Sequence, residues 1–69
     1  MFKIRMFSKL GKNEPNNGKF IKEFDGTTPV FTDKDSESKS FPYSEYAKLF
    51  QLKESFNNNG NNEYFPIYL

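Results

Sequence analysis

The chain has 69 residues and a formal charge of +1, and its nine Phe and four Tyr stand beside no His, no Cys and no Trp. Without Cys there are no disulfides or thiolate-bound metals, and without His the usual zinc and iron ligands are missing, so we expect no metal and no cofactor. Aromatic rings supply contact area rather than reactive groups, so the composition predicts a binding protein and not an enzyme.

The short chain also predicts association and solubility. A protein of this length leaves roughly 40% of its extended surface in water after folding, so it is marginally stable alone. With disulfides and metals excluded, a homodimer with an aromatic interface is the predicted source of further buried surface, and a compact monomer with a Phe-rich core is the alternative. No apolar run approaches the roughly 20 residues of a membrane span, and no signal-peptide pattern is visible. We expect a soluble, cytoplasmic protein that does not associate with membranes.

The first predicted element is a strand over residues 2–10, where apolar and polar residues alternate with period two. One face carries the apolar residues, and the other carries Lys3, Arg5, Phe7 and Lys9. Residues 11–18 are rich in Gly, Pro and Asn and predict a turn. A second strand-like run follows at Phe20–Phe24, so the two strands are expected to form a hairpin.

In residues 27–41, the residues before Phe41 are polar except for a short apolar patch at Val30 and Phe31. We interpret this segment as a polar loop insertion with room for one short edge strand. The acids of residues 33–40 alternate as at the start of a calcium loop, but the glycine of such loops is missing and Ser44 stands where the closing Glu is expected. A solvated acidic loop, with no metal site, is the prediction.

From Pro42 to Phe56 the apolar residues recur at helical spacing, and the proline suits a first helical turn. The helix is expected to end in the Asn- and Gly-rich segment 57–62, because these residues accept left-handed conformations. The tail at 63–69 alternates again and predicts a strand, which Pro66 restricts to the edge of a sheet. The expected order is β-β-α-β within a single domain, residues 1–69: an α+β fold with a small antiparallel sheet and one helix packed across it.

Two surfaces are candidates for binding. Lys3, Arg5, Phe7 and Lys9 on the first strand resemble a stacking platform edged with phosphate partners, which gives a small single-stranded nucleic-acid-binding module as one alternative. Solvation of an open sheet face explains the same charges, so direct nucleic-acid binding is not the favoured interpretation. The helix carries the other candidate, because Tyr46 and Phe50 lie one turn apart with Tyr43 close by. The competing explanation is that these helical residues only pack on the sheet.

Three short patches resemble a known family: residues 4–7 (IRMF), residues 18–24 (GKFIKEF), and residues 44–46 (SEY) with residues 49–50 (LF). In these patches and in its element order the chain is similar to the small dimeric uracil-DNA glycosylase inhibitors of Bacillus phages with protein-primed replication. The resemblance implies a phage protein without enzymatic activity that acts in the host bacterial cytoplasm. It also implies a host uracil-DNA glycosylase as the partner and a homodimer as the active form.

In that family the dimer is a DNA mimic that blocks the DNA-binding cleft of the glycosylase and encloses an apolar side chain of the enzyme. The resemblance implies that Tyr46 and Phe50 are the aromatic contacts and that Glu23 is an acid of the second strand. The full predicted partner-binding set is Tyr46, Phe50, Tyr43, Glu23 and Glu45. This chain differs from the family in three respects: Ala47 replaces a helix glutamate, residues 27–40 are inserted, and the net charge of +1 is less acidic than expected of a DNA mimic.

Acids of the second half of the chain are expected to give the mimic a local negative surface, since local field rather than net charge attracts a basic cleft. They are Asp33, Asp35, Glu37, Glu45 and Glu54. An inhibitor of another host defence enzyme, acting through protein–protein binding, is the remaining alternative.

Overall fold

The computed structural model describes residues 1–69 and contains one antiparallel sheet and one α-helix. The strands, in sheet order β3-β2-β1-β4, are β1 (Phe2–Ser8), β2 (Phe20–Asp25), β3 (Thr28–Thr32) and β4 (Asn62–Tyr68). The helix α1 (Ala47–Ser55) joins β3 to β4 and follows a 3-10 turn at Tyr43–Glu45. The predicted α+β fold is confirmed, with β3 added to the expected order. No helix here has the length and apolar character that crossing a membrane requires.

The core lies between α1 and one face of the sheet. The apolar face of β1 is completely covered, with Phe2 and Ile4 at 0% exposure. Leu49 and Leu52 of α1 lie over this face and are also buried. The other core residues are Met6, Ile21, Phe41 and Tyr64. Burial on the helix side leaves the opposite side of β1 and β4, the open face, without a helix.

The end of α1 follows the predicted backbone chemistry. The helix stops at Ser55, and Asn58, Asn59 and Gly60 then adopt positive φ angles of 50°, 59° and 83°. Asn and Gly enter this left-handed region at lower cost than other residues. The turn reverses the chain and delivers β4 to the edge of the sheet beside β1.

The edge position of β4 was predicted from Pro66, and the hydrogen bonds show how the proline is accommodated. At the two ends of the β1–β4 pair, the Lys9 N–H donates to the Asn61 carbonyl and the Leu69 N–H donates to the Met1 carbonyl. The odd-numbered residues of β4 are therefore the ones bonded to β1. Pro66 lies opposite Ile4 in the unbonded positions, so its nitrogen faces the free edge. It costs no ladder bond and interrupts the row of edge N–H groups.

We expect Pro66→Thr to promote self-association through this edge, because threonine restores an outward N–H and has a high strand propensity. Light scattering against protein concentration should show growth of large species in the variant. Ile67→Thr is the matched control, since its N–H already points toward β1. Equal scattering by the two variants would contradict a protective role for Pro66.

Residues 27–41 are more ordered than the predicted polar loop. Thr28–Thr32 form the edge strand β3, which pairs with β2. Residues 33–38, here called the strap, then cross β2 on the open face, where a 3-10 turn occupies Asp35–Glu37. The Lys39 N–H next donates to the Ile21 carbonyl at 3.0 Å, and the backbone of Phe41 pairs with Phe2. The chain thus passes between β1 and β2 and emerges on the helix side.

Asp35 fastens the strap to the open face. The Lys3 ammonium donates to the Asp35 carboxylate at 2.9 Å and to its backbone carbonyl at 3.0 Å. The hydrogen bond from Lys3 is the main reason that the pKa of Asp35 lies below its ordinary value of 3.8. A second attachment is the Thr32 hydroxyl, which donates to Glu37. The acidic segment was predicted to be a solvated loop, but its Asp35 also binds Lys3 and so attaches the strap to β1.

The lowered pKa of Asp35 gives stability that is present above the unfolded pKa and is lost as the pH falls through the folded pKa. We expect Asp35→Asn to be less stable than the parent near neutral pH and to lose this disadvantage in acid. Urea unfolding of both proteins at about pH 6 and about pH 2 measures the difference. Asp33→Asn, which removes a strap carboxylate outside any ion pair, is the control. If the difference in stability between the parent and Asp35→Asn is the same in acid, the Lys3–Asp35 ion pair does not stabilise the fold.

Candidate protein-binding site

Four aromatic rings meet where α1 crosses the edge of the sheet. Tyr43, Tyr46 and Phe50 come from the helical segment and Tyr68 comes from β4; we call them the helix-edge cluster. The ring centroids lie 6.2 Å apart for Tyr46 and Phe50 and 6.1 Å apart for Tyr43 and Tyr68. The Tyr68 hydroxyl donates to the Tyr46 hydroxyl at 3.4 Å, which joins the two pairs. Three of these rings, Tyr43, Tyr46 and Phe50, were predicted from the sequence to lie close together.

The local sequence explains why the rings face outward. Pro42 begins the 3-10 turn, and Tyr46 and Phe50 are four residues apart, so they share one side of the helical segment. Leu49 and Leu52 take the side that faces the sheet. The apolar stripe is therefore divided, with its leucines in the core and Phe50 outside it.

Three rings of the cluster are more than half exposed. Tyr43 is 54% exposed, and Phe50 and Tyr68 are each 60% exposed. A ring of this kind offers about 150–250 Å² of surface, so these three present on the order of 300 Å² of mostly aromatic area. A contiguous patch of that size is often functional in a monomer.

Tyr46 connects the cluster to the core. Its ring lies 5.5 Å from the ring of Phe2, which is completely buried. This contact and the hydroxyl pair with Tyr68 hold Tyr46 in one position. Because Tyr68 donates to Tyr46, the bond favours the protonated phenol and is the main reason that the pKa of Tyr68 is raised. Tyr46 is thus both a core residue and a surface residue, whereas Phe50 belongs to the surface.

Sequence reasoning did not assign Tyr68 to the site. The alternation of the tail separates Tyr68 from Phe65 and Ile67, but the strand register is needed to show where it lies. In that register Tyr68 is opposite Phe2, on the face that packs against α1. An aromatic residue at an edge-strand end, opposite a core position, is the signal that could have identified it.

The two predicted site acids do not extend the cluster as expected. The Glu45 carboxylate lies 3.6 Å from the Lys48 ammonium, and the oxygen facing Lys48 is buried without a hydrogen bond. Glu23 pairs with Val30 after a bulge in β2, and its neighbour Phe24 packs toward the core. Glu23 therefore lies on the face away from α1 and does not join the rings.

Three of the acids expected to form a negative surface are also paired within the chain. Asp35 binds Lys3, Glu37 lies 4.0 Å from Lys34, and Glu45 faces Lys48. Asp33 and Glu54 are outside these pairs and are exposed. Glu54 follows Phe50 by four residues on α1, so it is the acid placed one helical turn from the cluster.

On the open face, two of the cations predicted to bind nucleic acid already have partners within the chain. Lys3 is held by Asp35, and the Arg5 Nε donates to the Gly18 carbonyl at 2.8 Å. The Arg5 guanidinium also lies 4.8 Å from the ring of Phe7. Of the four predicted residues, Lys9 is the cation that has neither an acidic partner nor an aromatic contact.

The cavities of the chain lie away from the helix-edge cluster. The most enclosed one, about 320 Å³, is between α1 and the β2–β3 turn and is lined by residues that include Phe24 and Leu52. A second lies at the Phe7 end of the open face, and a third lies beside Tyr64. In one chain the helix-edge cluster is therefore a surface and not a pocket.

Comparisons of the chain with models of protein families, with curated proteins and with solved structures find no match. The surfaces of this chain are therefore the observations that bear on its function. The helix-edge cluster combines the most exposed aromatic rings of the chain with a rigid support.

Proposed function

We propose that the protein is a phage-type inhibitor that binds another protein through the helix-edge cluster, with host uracil-DNA glycosylase as its target. The observation that supports this proposal is the exposure of Tyr43, Phe50 and Tyr68, each by more than half. Tyrosine and phenylalanine on rigid elements are effective interface anchors, because they bury a large area and lose little conformational entropy.

Inhibition would be competitive occlusion of the DNA-binding cleft. The rings would exclude water from an apolar side chain of the enzyme and slow dissociation, while Glu54 would stand near the phosphate positions of the displaced DNA and raise the association rate. No group of the inhibitor has to form or break a bond. Because Asp35, Glu37 and Glu45 are paired within the chain, the rings would contribute more of the affinity than charge mimicry would.

A homodimer is part of this proposal. One copy offers the cluster as an open surface, and two clusters facing each other would enclose an apolar side chain between them. Each copy has a mass of 8.1 kDa, so light scattering after gel filtration distinguishes the dimer from the monomer. A monomeric mass at the concentrations that inhibit would remove the enclosed pocket and leave single-copy binding.

Uracil excision from a single-stranded oligonucleotide, measured with a bacterial uracil-DNA glycosylase, tests the target. We expect inhibition that is complete at a stoichiometric amount of the protein, together with a complex on gel filtration. A control protein of similar charge at the same salt concentration measures non-specific effects. Full excision at excess protein would reject the glycosylase, and an affinity experiment against other host defence enzymes would then compare the parent with Phe50→Ala.

A further inference from the structure

A groove of about 390 Å³ opens on the face of the sheet opposite α1, between the end of β1 and the start of β4. Its apolar walls are the rings of Phe7 and Phe65, which are 42% and 43% exposed. Its polar rim is formed by Ser8, Lys9, Asn61 and Glu63. Phe65 belongs to the predicted edge strand, but the sequence did not connect it with the residues of β1.

The rings of this groove are fixed in place. Phe7 and Phe65 meet edge to face at 5.8 Å, and the Arg5 guanidinium lies over the ring of Phe7 at 4.8 Å from its centroid. Arg5 is itself held by the Gly18 carbonyl and lies 5.1 Å from the ring of Phe20. Phe7 projects from the central strand β1 and Phe65 from the edge strand β4 of one sheet. Binding of a ligand would therefore cost little conformational entropy at these side chains.

The rim carries two charges that nothing in the chain neutralises. Lys9 and Glu63 line the same groove, and neither takes part in an ion pair. The backbone of Lys9 is fixed by the bond from its N–H to the Asn61 carbonyl. An ammonium group can bind a phosphate, and a carboxylate can accept only from a donor such as an exocyclic amino group.

We propose that the groove binds a nucleobase and its adjoining phosphate from single-stranded nucleic acid. The base would stack on the exposed ring of Phe65 and lie beside Phe7, because the two rings are inclined by 66° and the Arg5 guanidinium lies over Phe7. Lys9 would bind the phosphate, and Glu63 would accept from the amino group of cytosine or adenine. Stacking of one base on an aromatic side chain contributes about 1–3 kcal/mol, which a site of this size can supply.

Size favours a small ligand at this groove. At the observed exposures the two rings present on the order of 150 Å², about half the aromatic area of the helix-edge cluster. The strap covers the adjacent part of the open face and keeps Lys3 away from a phosphate. The remaining charge and aromatic area fit about one nucleotide. We therefore expect a Kd of about 0.1–1 mM. The logarithm of the association constant should fall with the logarithm of the salt concentration with a slope near −0.7, the value for one phosphate contact on a single strand.

An NMR titration of the labelled protein with single-stranded oligonucleotides tests the proposal. We expect the amide signals of Phe7, Lys9, Glu63 and Phe65 to shift with oligo-deoxycytidylate and to shift less with oligo-deoxythymidylate, which lacks the amino group. Phe65→Leu should weaken binding by about fivefold or more, because it keeps an apolar side chain and removes the stacking surface. Glu63→Gln should remove most of the preference for cytosine.

Phe50→Leu is the matched control, since it makes the same replacement on the opposite side of the molecule and should bind the oligonucleotide as the parent does. The spectrum of each variant without DNA reports whether it folds. Absent shifts at several times the expected Kd, shifts confined to the helix-edge cluster, or equal binding by Phe65→Leu would each overturn the proposal. Groove signals that move with protein concentration alone would assign the face to a second copy instead. The site is independent of the proposed inhibition, so either can fail alone.

Discussion

Replacing Phe41 with alanine is expected to remove most of the stability of the protein. Its side chain is completely buried, and its ring lies 5.8 Å from the rings of both Phe2 and Phe24. Truncating a buried phenylalanine costs about 3–5 kcal/mol, because the transfer free energy is lost and a cavity remains. A domain of this length has a total stability on the order of 3–10 kcal/mol.

Urea unfolding followed by circular dichroism measures this loss. We expect Phe41→Ala to be partly unfolded in buffer or to have a strongly lowered midpoint. Phe50→Ala is the matched control, because Phe50 is mostly exposed and its loss should cost less than about 1 kcal/mol. Similar midpoints for the two variants would show that residues 39–41, which lie between β1 and β2 in space, do not hold the two strands together.

Phe41 also shows where sequence reasoning ends. The strand at β1, the edge strand β4 and the helix that covers the sheet could all be predicted, because each repeats a local hydrophobic period over several residues. Phe41 is a single apolar residue in a polar segment, so no period marks it. Its burial depends on pairing with Phe2, which lies far away in sequence.

The face of Glu23 is another feature that local alternation misses. A bulge between Ile21 and Glu23 adds a residue to β2 and shifts the side chains that follow to the opposite face. Ile21 and Phe24 both reach the core as a result, although three positions separate them. A uniform strand would have placed Glu23 on the same face as Ile21.

The sequence predicted the part of the candidate site that lies on the helical segment. Helical spacing is enough to associate Tyr46 with Phe50, whereas Tyr68 and Phe65 join their surfaces only through the register of β4 against β1. The pairing of Asp35 with Lys3 depends in the same way on the path of the strap. Charges counted along the chain therefore overstate the acidic surface available to a partner.

Replacing Phe50 with alanine is expected to weaken inhibition strongly and to leave the fold intact. Phe50 is 60% exposed and contacts Tyr46 of the cluster, so its ring is available to a partner and contributes little to the core. Loss of an aromatic anchor costs about 2 kcal/mol or more, which corresponds to roughly a 30-fold weaker Kd. Tyr46→Ala should weaken binding by a similar amount, with added destabilisation because its ring packs on Phe2.

Titration of uracil excision with each folded variant, after unfolding curves have been recorded, separates these two effects. Phe65→Ala removes a ring of the same kind from the open face and should inhibit as the parent does, since Phe65 lies on the side of the sheet away from α1. Tyr46→Phe keeps the ring and removes the hydroxyl pair with Tyr68, so it should retain most of the inhibition if ring area provides the affinity. If Phe50→Ala and Tyr46→Ala both fold and inhibit like the parent while Phe65→Ala does not, the inhibitory surface is the open face, and the helix-edge cluster has another role.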